Sequence, residues 1–327
     1  MNEFDLFSTE LTTVSSTEVP MGSVNEPCLS QTRKIYEKHP DQSFDTKSIN
    51  SPFRWPGGKF YARKIIESYF PTHQTYVEPF LGGGSIFFHK NKTKSYLNDF
   101  DEELINCYLH IRDNVLDLIN ILKDEIATKD RHSWYKNEFK PTNDLERAAR
   151  YYYLNRTSYS GIMVDQNCYF GYGDKYSMRP ENWPRQLLKN EAKLRNVEIT
   201  NLDFEQFIYS LPFDQELFIF LDPPYYNADQ DKFYRAAFTR EDHHRLALCL
   251  KNLPKNVKFL LTYDNSPEVH ELYDWADHAT PHEWNYVISR TDDQKNKKKL
   301  KDGHIGERSK GKEIFFHNFK RQPQNLI

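Results

Sequence analysis

Seven short runs of β-type residues recur along the chain after residue 51, and each run ends in polar or glycine residues. They span residues 76–80, 95–99, 197–202, 217–222, 257–263, 283–289 and 313–317. The run 217–221 has no polar alternation, which is typical of a central strand buried on both faces. Helical patterns lie between the runs, at 60–70, 239–252 and 267–275. This alternation predicts an open α/β sheet covered by helices.

The interval between the second and third predicted strands is far longer than a crossover connection needs. Helical patterns occupy 103–126, 144–155 and 181–195. Residues 157–178 form an irregular stretch that is rich in aromatic residues and glycine. We therefore expect an inserted, mainly helical subdomain at 102–189, between the two parts of a main domain at 48–101 and 190–319.

Composition narrows the class of protein. The net charge is only −3, so any binding of nucleic acid must rest on local basic patches. The four cysteines lie far apart without a CxxC pair, so we expect no zinc site or other metal, and a cytoplasmic location. No run reaches the roughly 18 apolar residues of a membrane span. Residues 1–47 are rich in Ser, Thr and Glu, lack a secretion signal, and are expected to be a disordered extension.

A glycine cluster follows the first predicted strand. Gly82, Gly83 and Gly84 allow a tight turn and let a ligand lie against the backbone. In an open sheet, cofactors bind beyond the carboxyl ends of the strands. The spacing is not the G-x-G-x-x-G of a nicotinamide oxidoreductase. We expect this loop, with Glu78 and Phe80, to bind a cofactor; a simple turn is the alternative.

Two aspartates end neighbouring predicted strands. Asp99 could accept both ribose hydroxyls of an adenosine ligand. Asp203 could accept from the amino group of an adenine. Either residue could instead cap a helix, because Asp commonly starts a helix after a strand, and for Asp203 the two interpretations are nearly equal.

The sequence Asp222-Pro223-Pro224-Tyr225 directly follows the apolar strand. The two prolines fix φ and end the strand, which holds Asp222 at the edge of the sheet. If the Asp222 carboxylate and the Pro223 carbonyl each accept one hydrogen of an exocyclic amine, its lone pair turns toward an electrophile. Tyr225 can stack on the base. We expect methylation of a planar base here; a strand-ending Pro-Pro turn is the alternative.

These motifs together resemble the Dam-like (D12 class, α-group) N6-adenine DNA methyltransferases over roughly residues 51–318. Residues 53–59, Phe-Arg-Trp-Pro-Gly-Gly-Lys, look like the W-x-G-G-K motif of that family, and Asn98-Asp99 lies between the glycine cluster and the Asp-Pro-Pro-Tyr motif. The resemblance implies a Rossmann-like, seven-stranded sheet that uses S-adenosyl-L-methionine. It also implies that Trp55, Lys59, Asp99 and Asp222 contact this cofactor. A packed Trp55 and a solvated Lys59 are the alternatives.

The resemblance further implies that the insert grips double-stranded DNA around a flipped-out adenine. Four residues interleave there with glycines and are expected to bind DNA: Arg156, Tyr159, Lys175 and Arg179. A solvated loop with packed tyrosines is the alternative. GATC-specific members carry an arginine just after the glycine that corresponds to Gly161. This chain has Ile162-Met163-Val164-Asp165 there, which argues against GATC specificity.

Other functions stay open at this point. Methylation of cytosine N4 poses the same chemical problem, and a non-catalytic nucleic-acid-binding relative is a more distant alternative. Methylation of cytosine C5 is disfavoured because it needs a Pro-Cys nucleophile, and Pro27-Cys28 lies in the N-terminal extension. We expect a monomer or weak dimer, with a separately encoded restriction endonuclease as partner.

The stretch 290–312 carries nine basic and four acidic residues between the last two predicted strands. We expect Lys297, Lys298 and Lys299 to contact phosphates; a solvated loop is the alternative. Replacing all three by Glu is expected to flatten the dependence of DNA affinity on salt, by up to about three units of log–log slope, because fewer counterions are released. Titrations of DNA binding at several salt concentrations test this, and an unchanged slope would dismiss the patch.

Overall fold

A computed structural model describes residues 48–173, 177–228, 237–285 and 310–321, which all belong to one compact unit. Within these ranges seven strands form one sheet in the order β3-β2-β1-β4-β5-β7-β6. The strands are β1 Thr75–Glu78, β2 Lys94–Asn98, β3 Glu198–Thr200, β4 Leu217–Leu221, β5 Lys258–Asp264, β6 His278–Asn285 and β7 Lys310–His317. Strand β7 pairs antiparallel with both β5 and β6, and all the other strand pairs are parallel. The predicted seven-stranded α/β sheet is confirmed.

Ten α-helices lie in the described ranges. They are α1 Arg63–Glu67, α2 Ser85–His89, α3 Glu102–Asp113, α4 Val115–Leu122, α5 Lys129–Asn137, α6 Asp144–Thr157, α7 Trp183–Leu194, α8 Phe204–Tyr209, α9 Arg240–Lys251 and α10 Pro267–Leu272. Side chains cap several of them: Asp101 accepts from two amides of α3, and Thr239 and Asp242 form a capping box on α9. No helix in these ranges is long and apolar enough to cross a membrane.

The predicted pattern 103–126 is two helices rather than one, because the backbone leaves the helical region at Asn114. Helix α5 was not predicted. It buries only His132 and Tyr135, so it carries too few apolar positions to show a helical period. Helices α3 to α7 pack against one another, and α7 runs without a break through the predicted domain boundary at 189–190.

The sixth strand begins five residues earlier than the predicted 283–289. It includes Pro281, and a proline in a run normally argues against a strand. Here β6 is the edge of the sheet, where the missing amide of a proline disrupts no further ladder. The predicted residues 286–289 lie outside the described residues.

The core lies on both faces of β4, in which every residue is buried. Phe218 and Phe220 pack into the cluster on one face, while Ile219 and Leu221 pack into the cluster on the other. Many of the tyrosines serve ordinary packing in the helical layer. Buried rings there include Tyr135, Tyr151, Tyr152, Tyr153 and Trp183, with Tyr135 and Tyr153 stacked at 4.2 Å. The high aromatic content is therefore largely explained by the core.

The strand order changes direction between β1 and β4. The chain passes from β1 outward to β2 and β3, and from β4 outward to β5 on the other side. The loops that follow β1 and β4 therefore diverge and leave a crevice at the carboxyl end of the sheet. Open α/β sheets bind their ligands at this kind of position.

Candidate functional site

A cavity of about 410 Å³ occupies the crevice. This volume lies in the range of small-molecule sites. The walls come from segments 55–59, 78–86, 98–101, 202–204 and 222–225, with Gly161 and Met163 of the insert. Every residue predicted to bind a cofactor lines this one cavity: Trp55, Lys59, Glu78, Phe80, Gly82, Gly84, Asp99, Asp203 and Asp222. The structure thus brings together residues that are spread over most of the chain.

The glycine cluster is shaped around Trp55. Gly82 has a φ of 47°, and a Cβ on it would lie 2.8 Å from the indole Nε1 of Trp55. A Cβ on Gly83 would lie 2.8 Å from the Cβ of Trp55. Gly84, with a φ of 66°, precedes helix α2. Side chains at Gly82 or Gly83 would push Trp55 away, so this part of the loop and Trp55 form one fitted unit.

Asp99 braces this loop while it faces the cavity. Its Oδ2 accepts the Gly82 amide at 2.7 Å, and its Oδ1 accepts the Asp101 amide at 3.0 Å. Burial raises the pKa of Asp99 to about 6, although the backbone amides act in the opposite direction. The carboxylate is therefore mostly ionised at neutral pH.

Asn98 was not predicted as a site residue, yet it joins three loops at the cavity. Its Nδ2 donates to the carbonyls of Pro79 (3.2 Å) and Leu202 (2.9 Å), and its Oδ1 accepts the Leu202 amide at 2.9 Å. The side chain thereby ties together the loops after β1, β2 and β3. The only signal in the sequence was that Asn98 directly precedes Asp99.

Asp203 caps helix α8 through a hydrogen bond to the Glu205 amide at 3.0 Å, as the capping alternative proposed. It also forms an ion pair with Arg245 at 2.7 Å. Its carboxylate lines the cavity, but two structural partners already hold it. Next to it, three rings form a triangle with centroids 5.5–5.6 Å apart: Phe80, Phe204 and Phe238. Phe204 and Phe238 were not predicted.

Lys59 and Asp222 form an ion pair at the floor of the cavity. The Lys59 Nζ lies 2.6 Å from Asp222 Oδ1 and 2.8 Å from Oδ2. The Lys59 side chain is only 4% exposed, so the alternative of a solvated lysine is wrong. Thr262 on β5 donates to Asp222 Oδ1 at 2.8 Å. The carboxylate is therefore fixed in place from two sides.

The rest of the Asp-Pro-Pro-Tyr loop is held by β5. The amide of Tyr226 donates to Asp264 Oδ1 at 2.8 Å. The Tyr225 ring stacks on Tyr263 with centroids 6.1 Å apart, and the Lys59 Nζ lies 4.9 Å from the Tyr225 centroid. Neither Thr262 nor Asp264 was predicted, because they belong to a strand that follows the loop by some forty residues and carries no motif.

Two further carboxylates surround the ion pair. Burial raises the pKa of Glu78 to about 8, with smaller effects from Asp222 and Asp99, although a hydrogen bond from Tyr76 at 2.7 Å opposes the shift. Burial also raises the pKa of Glu313 to about 7. Glu313 lies on β7, and its Oε1 is 3.9 Å from the Lys59 Nζ. The site thus gathers acidic side chains around one buried ammonium group, and the raised pKa keeps Glu78 mostly protonated at neutral pH.

The insert is attached to the cavity wall through Asn155. Its side chain accepts the Arg54 amide and donates to the Arg54 carbonyl, both at 2.9 Å, and it also donates to the Gly161 carbonyl at 3.2 Å. A Cβ on Gly161, where φ is 73°, would lie 2.3 Å from the Arg54 carbonyl oxygen. This contact joins the insert to the residue next to Trp55.

The predicted DNA-binding residues have different surroundings. Arg156 is only 7% exposed, and its Nε has no hydrogen-bond partner among the described residues. Tyr159 is half-buried, and its amide donates to the Tyr169 carbonyl. The Arg179 side chain is 60% exposed. Lys175, Lys297, Lys298 and Lys299 lie outside the described residues.

The part of the chain that forms this site also matches known proteins. Residues 55–288 match the D12 class N6 adenine-specific DNA methyltransferase family. A type II methyltransferase of Lactococcus lactis subsp. cremoris is 30% identical over 240 residues, which are 68% of this chain and 84% of that protein. A type II methyltransferase of Paramecium bursaria Chlorella virus NC1A is 28% identical over 272 residues, 81% of this chain and 98% of that protein.

The DNA adenine methylase of Escherichia coli (strain K12) is 25% identical over 243 residues, which are 68% of this chain and 84% of that protein. The family match begins at Trp55 and includes the glycine cluster, Asp99 and Asp222. It is specific for adenine N6, so the alternative of cytosine N4 methylation is wrong. The chain belongs to the D12 class N6 adenine-specific DNA methyltransferase family.

Proposed function

We propose that the protein transfers a methyl group from S-adenosyl-L-methionine to N6 of an adenine flipped out of double-stranded DNA. The observation that carries this proposal is the Lys59–Asp222 ion pair. Asp222 is the first residue of the Asp-Pro-Pro-Tyr loop, and both partners line a cavity of cofactor size. An ion pair alone would be compatible with many kinds of enzyme. Its position beside the glycine loop and an aromatic cluster is what favours an adenosine-containing methyl donor.

The residues that line the cavity fit this donor. Asp99 keeps lone pairs for the ribose hydroxyls while it braces Gly82. The rings of Phe80, Phe204 and Phe238 offer a surface for the adenine, with Trp55 on the far side of the glycine loop. Lys59 matches a carboxylate and Glu78 matches an ammonium group. A cationic ligand would favour the ionised form of Glu78 and so lower its raised pKa, with release of a proton on binding.

When it is bound, the donor supplies an activated methyl group on a sulfonium, so the protein has mainly to position the amine. The Asp222 carboxylate and the Pro223 carbonyl each accept a hydrogen bond from N6 and direct its lone pair toward the methyl group. The C–N bond would form as the C–S bond breaks to leave a neutral thioether, and N6 would then lose one proton to solvent. Pro224 fixes the backbone of the loop, and Tyr225 stacks on the base. Thr262 and Asp264 keep this loop from moving when the base enters.

The insert at 102–189 serves as the DNA target-recognition subdomain in this proposal. Flipping a base costs a few kcal/mol, which contacts of the insert with the DNA must offset. The names of two relatives as type II methyltransferases support a separately encoded restriction endonuclease as partner. The protein itself acts as a monomer or weak dimer in this proposal. The residues proposed to contact DNA are Arg156, Tyr159, Lys175, Arg179, Lys297, Lys298 and Lys299.

Replacing Gly82 by Ala tests the cofactor loop. The left-handed backbone and the displaced indole are expected to lower the affinity for S-adenosyl-L-methionine about tenfold or more. Titration calorimetry measures this. Gly173→Ala is the matched control, because an added Cβ there meets no atom within 4 Å. Equal affinities of the two variants would remove the glycine loop from the binding site.

Replacing Asp222 by Ala tests the catalytic assignment. We expect turnover to be lost while the protein stays folded, because Lys59 keeps Glu313 as a second anionic partner. The variant and the wild type are expressed in a host without DNA methylation, and modified bases are mapped by single-molecule sequencing. Asp214→Ala, at an exposed position, is the control. Absence of N6-methyladenine with the wild type would refute the proposed function, and methylation by Asp222→Ala would refute the role of Asp222.

A further inference from the structure

Glu313 is a buried charged residue for which the roles described so far give no reason. It lies on β7 and is fully buried, and among the described residues its carboxylate oxygens have no hydrogen bond of good geometry beyond an interaction with the Tyr225 side chain that lowers its pKa. Buried carboxylates are normally hydrogen-bonded or paired, because leaving one unpaired costs free energy. The nearest cation is Lys59, whose Nζ is 3.9 Å from Oε1.

Lys59 sits between two carboxylates at unequal distances. It lies on both oxygens of Asp222, at 2.6 and 2.8 Å, and farther from Glu313. A bidentate grip of this kind occupies the Asp222 oxygens that the incoming amine must reach. A lysine with no other anionic partner would resist leaving Asp222, because it would become an unpaired buried charge. Glu313 lowers that obstacle, because it gives the ammonium group an anionic partner within the protein in addition to the carboxylate that the methyl donor brings.

We propose that Glu313 is a positioning residue for methyl transfer, which acts through Lys59 by drawing the ammonium group away from Asp222 as the target amine binds. The inference rests on the proposed function. It makes Glu313 a group that never touches the base or the methyl donor. Its effect reaches the reaction by freeing one Asp222 oxygen for N6 and by adding negative charge close to the nitrogen, which becomes more positive as it is methylated.

Several charged or titratable groups face Glu313. Lys59 lies in the segment before α1, and Asp222 and Tyr225 lie in the loop after β4. Its paired neighbours across the sheet are Asp264 on β5 and His282 on β6. Lys59 and Tyr225 favour the ionised form of Glu313, whereas burial, Asp222 and Asp264 oppose it and hold its pKa near 7.

A residue that is kept for function although it lowers stability can be recognised from the way the stability of the fold depends on pH. The pKa of Glu313 in the folded protein is about 7, above its ordinary value of 4.5. Ionisation of Glu313 therefore destabilises the fold, from little at pH 5 to its full extent above pH 7. Glu313→Gln removes that charge with little change of shape. We expect the variant to melt at a higher temperature than the wild type at pH 8, with the difference shrinking toward pH 5.5.

The same variant is expected to be a slower enzyme. In single-turnover methylation of duplex DNA we expect its rate at pH 8 to fall roughly 10- to 100-fold, less than for the loss of a group that contacts the reacting atoms. The ratio of wild-type to variant rate should grow from pH 6 to pH 8, as Glu313 ionises, while the KM for DNA stays unchanged. Glu216→Gln, which removes an exposed charge outside the helices, is the matched control and should change neither the rate nor the melting temperature.

Higher stability together with a lower rate supports the inference, because a residue that merely packs would lower both when it is changed. A Glu313→Gln variant that melts lower than the wild type at pH 8, or fails to fold, would overturn the inference by making Glu313 a stabilising residue. A variant with the wild-type rate at pH 8 would overturn it as well. A wild type that makes no N6-methyladenine would instead refute the proposed function, and the melting curves distinguish the two failures.

Discussion

The ion pair between Lys59 and Asp222 is the interaction on which the site depends. It joins the segment before α1, which contains Trp55, to the Asp-Pro-Pro-Tyr loop at the end of β4. A buried pair is favourable only if its geometry is good and its remaining hydrogen-bonding groups are satisfied. Thr262 supplies one of those hydrogen bonds, and the sheet order supplies the geometry by setting β1, β4 and β5 side by side.

The fit between Trp55 and the glycines is a second constraint of the same kind. Gly82 and Gly83 have no room for a side chain, because the indole of Trp55 fills the space that a Cβ would take. Asp99 then fixes the loop by accepting the Gly82 amide. The carboxylate that faces the cavity thus also maintains the shape of the cavity. The proposed binding of a cofactor and the local fold therefore depend on the same few atoms. Few substitutions of these residues would preserve both.

The sequence predicted the parts of the protein whose signals are local. The unbroken apolar run of β4, the glycines after β1 and the Asp-Pro-Pro-Tyr motif each lie within a short stretch, and their positions in the structure agree with the predictions. Thr262, Asp264 and Glu313 were missed because each reaches the site only through strand pairing. Their neighbours in the sequence look like those of any other strand. Strand β6 was shifted for a related reason, since Pro281 is acceptable only at an edge.

The attachment of the insert gives the cavity a mechanical link to the subdomain proposed to recognise DNA. Asn155 holds the backbone of Arg54 from both directions, and Arg54 directly precedes Trp55. Any shift of the segment between Asn155 and Gly161 must therefore move Arg54 or break these hydrogen bonds. Because Trp55 in turn fills the space above Gly82 and Gly83, such a shift would reach the glycine loop within a few contacts. Packing thus couples the subdomain proposed to recognise DNA to the cavity, and the close approach of Gly161 to the Arg54 carbonyl makes that coupling stiff.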